Sequence, residues 1–245
     1  MKKFLLILAI VFSLIIHHTP KVYALNLEDG RIIISQIYSN VTGDEQEEII
    51  VLSGIRLNDT SLYENLKINV FEDKSGKLLY SVIPTVNYGL DVSLVSVNFS
   101  GKDKSQIFFK TKTDNKNNCF YVYDFSLNQK TVYDCELDVN TFNAKHLDYY
   151  KILISGKNEY RVDIYYKDKN YLSKLYQKSG KLQKQAPIKV TAPVDAIPFF
   201  DGEKWNLSII RNACGYDDTD VYAKCVKNYA YNGKEFIEIS ESVAI

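Results

Sequence analysis

The 245-residue chain is short of the residues on which most enzymatic chemistry is built: it has three histidines, one tryptophan, one methionine and five prolines. Two of the histidines, His17 and His18, fall inside the first 24 residues, so His146 is the only imidazole outside them. A Ser-His-Asp or Cys-His site would have to be built on it. No G-x-S-x-G or comparable nucleophile context lies nearby. Neither G-x-x-x-x-G-K-[ST] nor G-x-G-x-x-G occurs, which removes the common phosphate-cradling loops. An excess of positive charge is also missing, since 30 basic residues face 30 acidic ones. A protein that grips nucleic acid through its phosphates needs that excess, so nucleic acid is not an expected partner.

The opening residues are rich in what the rest of the chain rarely has, a long apolar run. Lys2 and Lys3 precede the stretch from Phe4 to Ile16, and Val22-Tyr23-Ala24 offers small residues at the −3 and −1 positions of a cleavage site. The pattern predicts a signal peptide over residues 1–24 and a secreted domain over 25–245. Thirteen residues at about 1.5 Å each reach roughly 20 Å, short of a ~30 Å hydrocarbon core, so contact with a membrane is expected only through the leader before cleavage.

Over the whole chain, 19 tyrosines and 12 phenylalanines accompany abundant Ile, Val and Thr, a composition suited to pleated, half-buried strands. Alternation or short apolar runs predict thirteen strands, among them 48–55, 106–112, 119–125, 151–155 and 221–231. Turn chemistry separates them at Lys74-Ser75-Gly76, Gly156-Lys157-Asn158, Ser179-Gly180 and Asn232-Gly233, the last a type I′ signal. One short helix is expected over 170–177, and the three prolines between Gln183 and Pro198 suggest an irregular crossing.

An internal repeat organises these strands. Asn40-Val41-Thr42-Gly43-Asp44 followed by Glu48-Ile49-Ile50-Val51 matches Asn98-Phe99-Ser100-Gly101-Lys102 followed by Gln106-Ile107-Phe108-Phe109. A weaker copy runs from Pro198-Phe199-Phe200-Asp201-Gly202 into Asn206-Leu207-Ser208-Ile209, and an unmarked unit covers 149–166. Four units of four strands account for the spacing.

The arrangement strand, Asn-x-Thr-Gly-Asp-x-x-x-Glu, strand resembles the loops of FG-GAP and VCBS-type repeats. The closing Tyr231-Asn232-Gly233-Lys234-Glu235-Phe236 is similar to the last hairpin of small exported VCBS repeat-containing proteins of Gram-positive bacteria. The resemblance implies an all-β fold, a small β-propeller of about four blades. It also implies a calcium-type loop, with Asn40, Thr42, Asp44 and Glu48 as side-chain donors and Gln46 through its carbonyl. Hard oxygen donors at alternate positions suit such a cation. Only two of these donors are carboxylates, and Glu45 stands where the family has glycine, so Ca2+ would be held weakly. In the second loop Lys102 stands at an anionic position, and its ammonium is expected to bridge the loop carbonyls and the Asn98 amide.

Four cysteines remain after the leader. Cys119 and Cys135 flank a hairpin, and Cys214 and Cys225 can be related in the same way, so two disulfides, Cys119–Cys135 and Cys214–Cys225, are expected in an exported chain. No spacing is C-x-x-C, which makes zinc a poor reading. Asp217, Asp218 and Asp220 form an acidic cluster that reads as a solvated loop. The functional expectation is a non-enzymatic binding module facing a protein or carbohydrate surface, with tyrosines near Tyr216, Tyr222 and Tyr229 as contacts. The alternatives are an extracellular hydrolase acting on polysaccharide through paired carboxylates and a structural component of a cell envelope or spore layer.

Overall fold

The computed structural model describes residues 30–57, 60–113 and 118–245. The expected leader and its expected cleavage site lie outside them. The described residues are all-β: sixteen strands, one short helix, α1 (Lys169–Leu175), and one 3-10 turn (Phe125–Leu127). None of their helices is long and apolar enough to cross a membrane.

Four antiparallel sheets follow one another along the chain. The first runs β1 (Ile32–Ser39), β2 (Glu48–Arg56), β3 (Tyr63–Glu72), β4 (Leu78–Val82), and the second runs β5 (Leu90–Val97), β6 (Gln106–Lys112), β7 (Asn118–Asp124), β8 (Lys130–Asp134), each a simple meander. The third has three strands, β9 (Asn143–Leu147), β10 (Lys151–Ser155) and β11 (Glu159–Asp163). In the fourth, β14 (Trp205–Cys214), β15 (Val221–Tyr231) and β16 (Phe236–Ala244) form a meander whose first position is shared by two short strands, β12 (Lys189–Val190) and β13 (Asp195–Phe200). Thr191 N still donates to Asn212 O and Val194 N to Ile210 O, but Ala192 and Pro193 leave the ladder between them. Proline has no N–H to donate, which is why an edge strand breaks there.

The middle strands read as unbroken apolar runs because both of their faces are covered. Ile49, Ile50, Val51 and Leu52 of β2 are all buried, as are Phe120 to Tyr123 of β7. Each such side chain contributes on the order of 1.5–3 kcal/mol on burial. Two cores result. One gathers the first and second sheets with Ala196, Leu207, Ile209 and Tyr231 of the fourth. The other joins the third sheet and α1 to Ala213, Tyr222, Ala223 and Cys225 of the fourth. The fourth sheet thus packs against both the second and the third.

Gly89 ties the first sheet to the second. Its N–H and carbonyl exchange hydrogen bonds with Tyr63 at 2.9 and 3.0 Å, and its φ is +148°. A Cβ there would lie 2.1 Å from Thr111 Oγ1 and 2.7 Å from the Lys112 carbonyl, so no side chain fits.

Three expectations need correction. The stretch 183–198 is less irregular than its prolines suggest, because it holds β12 and most of β13. The strand β9 was not anticipated, since Asn143-Ala144-Lys145-His146-Leu147 lacks β-branched residues. The Asn232-Gly233 turn is a four-residue connection between Tyr231 and Phe236 rather than a two-residue type I′ turn. Only Gly233 takes a positive φ, while the Asn232 side chain caps Lys234 N and Glu235 N.

Candidate binding cavity

The break in the first position of the fourth sheet opens a cavity of about 560 Å³. Its walls come from the Ala192–Pro193 bulge, from Arg211 on β14, from Asn118 and Cys119 at the start of β7, and from the segment after β8 that carries Cys135, Glu136 and Asp138. Tyr88, 46 % exposed, stands at its rim. Asn118 Nδ2 donates to the Val194 carbonyl at 2.5 Å and Lys110 Nζ reaches Asp195 Oδ1 at 2.8 Å, so the second sheet is stitched to the fourth beside the cavity.

A buried ion pair fixes the cavity wall. Arg211 Nη2 donates to Asp138 Oδ2 at 3.0 Å and to the Asp138 carbonyl at 2.9 Å, while Nη1 donates to the Thr191 carbonyl at 3.0 Å. Tyr133 and Tyr229 hydroxyls also donate to the Asp138 carboxylate, at 3.1 and 3.5 Å. Burial and the neighbouring Asp138 charge push both phenols up, so they stay protonated donors. Removing one partner from such a buried pair costs on the order of 3–5 kcal/mol, because the other charge is left uncompensated. The segment from 135 to 142 is pinned a second time by Phe142, whose ring lies under Lys227 Nζ at 5.7 Å.

The expected calcium loop connects β1 to β2, and its donors are turned on one another. Glu48, 2 % exposed, accepts from Val41 N at 2.8 Å, Thr42 N at 3.3 Å and Thr42 Oγ1 at 2.9 Å. Asn40 Oδ1 accepts from Gly43 N, and Asp44 Oδ1 from Gln46 N. Glu45, at the family's glycine position, does take the left-handed conformation, with φ +67°. Among the described residues no group of three or more His, Cys, Asp or Glu is arranged to hold a metal ion.

In the second loop the cation is supplied by Lys104 rather than Lys102. Lys102 is exposed and enters through its backbone, whereas Lys104 Nζ lies 3.5 Å from Asp124 Oδ2 and hydrogen-bonds Ser126 Oγ. The two loops meet: Asn40 bonds to the Asp103 carbonyl and to Ser105 N, and a Cβ on Gly43 would lie 3.5 Å from Lys104 Cδ.

Of the expected cysteine pairs, the structure brings one together. All four cysteines are thiols, with no disulfide between them, but Cys135 is locked to Phe120, the neighbour of Cys119: Cys135 N donates to the Phe120 carbonyl at 3.1 Å and Phe120 N donates to Cys135 Sγ at 3.2 Å. Cys214 instead stands opposite Val221 and Cys225 opposite Arg211. Of the three tyrosines offered as contacts, Tyr216 is exposed, Tyr222 is buried in the second core and Tyr229 is half-buried beside Asp138. His146 is also in the second core's surroundings, 1 % exposed, against Tyr176 and Tyr222, and desolvation lowers its pKa. It is not part of the cavity wall. The aspartate cluster is spent on Lys167, which meets Asp220 at 2.8 Å, on Lys189, which meets Asp218 at 3.1 Å, and on the turn itself.

Sequence reading passed over Arg211, although a signal was present. In β14 the alternation Leu207, Ile209, Arg211, Ala213 sets an arginine on the inward face among apolar neighbours. Asp138, 73 positions away, carried no such mark.

Residues 140–244 match the family model described as the YybI C-terminal domain. The matched region begins just ahead of β9 and ends with β16, so it spans the third and fourth sheets and supplies Arg211, Thr191 and Pro193 to the cavity. Cys119, Cys135 and Asp138 lie before it. No curated protein and no solved structure matches the chain.

Proposed function

We propose that the chain is a secreted, non-enzymatic binding module whose cavity takes a neutral, hydroxyl-rich ligand such as a sugar unit of a polysaccharide. The observation that carries this reading is the mutual neutralisation of the ion pair and the thiol in the cavity wall. Arg211 and Asp138 discharge one another, and the Cys135 thiol is held well above the ordinary thiol range by its hydrogen bond with Cys119 and by burial. What is left facing the opening is amide and hydroxyl chemistry at Asn118 and Thr191, the single carboxylate of Glu136 and an aromatic ring at Tyr88. A carbohydrate presents the matching donors and acceptors, and its ring face suits the tyrosine. The hydrolase alternative asks for two working carboxylates, and Asp138 is already committed to three side chains.

We further propose that the four sheets form a propeller-like array of blades. Three observations support it: the sheets succeed one another as meanders, the first strands meet in the pairs β1 with β5 and β9 with β12, and the repeat loops of the first two sheets touch. Side-chain contacts set the fourth sheet between the second and third, so the blade order we propose is first, second, fourth, third.

Titration calorimetry against a panel of soluble cell-wall and plant polysaccharides tests the function. Binding that weakens about tenfold, or ~1.4 kcal/mol, in Tyr88→Ala is the expected result. Release of new reducing ends, or silence across the panel, would overturn it.

A further inference from the structure

Two of the four cysteines differ from the others in a way that goes beyond ligand binding. Cys119 and Cys135 are buried thiols at the open end of the β7–β8 hairpin, and both line the cavity. Phe120 between them is locked to Cys135 twice, its N–H donating to Cys135 Sγ at 3.2 Å and its carbonyl accepting from Cys135 N. Cys214 and Cys225 are each sealed at 0 % exposure and are separated by three steps of the β14–β15 register. Disulfide geometry tolerates only neighbouring Cα positions with converging Cβ atoms, which the first pair approaches and the second does not.

We propose that Cys119 and Cys135 are a modification site that forms a reversible disulfide in the cavity wall, while Cys214 and Cys225 remain thiols. The oxidant is a small-molecule disulfide entering by the cavity. One cysteine thiolate attacks a sulfur of the oxidant and expels the first small thiolate. The second cysteine thiolate then displaces the other small thiolate from the mixed disulfide. Two protons and two electrons leave the protein, and one oxidant becomes two thiols. Hydrogen bonding with Cys119, and then burial, push the Cys135 thiol well above its ordinary range, so the reaction is slow near neutral pH and quickens as the pH rises.

The test is to incubate the folded full-length chain with oxidised glutathione at several pH values, unfold and alkylate it, and map the cysteines by mass spectrometry. A peptide linking Cys119 to Cys135, with Cys214 and Cys225 fully alkylated and the link lost on treatment with a dithiol, is the expected result. In Cys119→Ser, the linked peptide should vanish while the chain still gives the wild-type far-ultraviolet spectrum. Both cysteines recovered as alkylated thiols, a glutathione adduct that persists on either, or a Cys214–Cys225 link formed in the folded protein would each overturn the proposal.

Discussion

The loops leading into β2 and β6 share a length, a register and an end of the molecule, yet they close by opposite electrostatics. In each, the first residue of the second strand is a buried polar group that reaches back to the loop's backbone: Glu48 to Val41 and Thr42, Gln106 to Ser100. Each also meets the last residue of the third strand, Glu48 as the register partner of Glu72 and Gln106 through its Nε2 donating to Asp124 Oδ2 at 3.2 Å. In the first sheet the buried carboxylate is the one that closes the loop, and Glu72 is exposed. In the second the buried carboxylate has moved across the ladder to Asp124, and the closing residue is a neutral amide. Asp124, 0 % exposed, accepts from Gln106 Nε2, Tyr231 Oη, Ser126 N and Ser126 Oγ, with Lys104 beside it. One buried carboxylate per junction is the rule the two sheets share, and it follows from the cost of confining two anions without a cation.

Swapping the closing residues attacks that rule directly. Gln106→Glu would set a second buried carboxylate against Asp124 and is expected to cost on the order of 3–5 kcal/mol. Glu48→Gln keeps an acceptor for the loop backbone and faces an exposed partner, so a loss of at most about 1 kcal/mol is expected. Urea denaturation of both variants measures the asymmetry. Equal losses at the two sites would end the comparison.

Lys104→Met comes next in size. It removes the ammonium from Asp124 while leaving four neutral hydrogen bonds in place, and it preserves the stem that packs on Gly43 of the first loop. The expected cost is about 1–3 kcal/mol, read from the same denaturation curves. Lys102→Met, two residues away and exposed, should leave the midpoint where it is.

How much of this was legible beforehand depends on whether a feature is written locally. The strands Gln106–Lys112, Lys151–Ser155 and Val221–Tyr231 end where their apolar patterns end. The loop repeat was legible because an Asx or Ser/Thr turn carries its own signature. Helix α1 was also visible, one residue late at its start, with Asp168 as its cap. The strands β12 and β13 were hidden because prolines at 193 and 198 argue against a ladder that exists around them. Lys104 and Asp124 sit 20 positions apart, and Arg211 and Asp138 sit 73 apart, so no spacing rule links either pair; only the packing of one sheet on another does.

A smaller effect tests the backbone of the first loop. Glu45 holds φ at +67° in a conformation that costs a side-chain-bearing residue on the order of 1 kcal/mol and glycine almost nothing. Its counterpart in the second loop, Asp103, is not at positive φ. Glu45→Gly is therefore expected to raise stability by about 0.5–1 kcal/mol, offset in part by the greater freedom glycine has in the unfolded chain. Asp103→Gly should only destabilise. A gain at both positions, or at neither, would show that the left-handed residue is not what separates the two turns.

The third loop supplies the gentlest test, because its anion is exposed. Asp201 Oδ1 accepts from Lys204 N and Glu203 N, both at 2.9 Å, and Oδ2 accepts from Asn206 Nδ2 at 2.5 Å. The two backbone N–H groups, Lys204 first, hold its carboxyl below the ordinary aspartate value, with the Asn206 bond adding to them. A depressed folded value means that the unfolded chain takes up its proton first as the pH falls from about 4. The contribution of this cap is therefore complete above that pH and is lost as the pH drops through the lowered folded value. Following the Asp201 carboxyl carbon by NMR should give a midpoint below that of a free aspartate, with the Lys204 amide losing exchange protection over the same range. A midpoint at or above the free value would mean that the exposed carboxylate takes nothing from the turn, and that only buried acids shape these junctions.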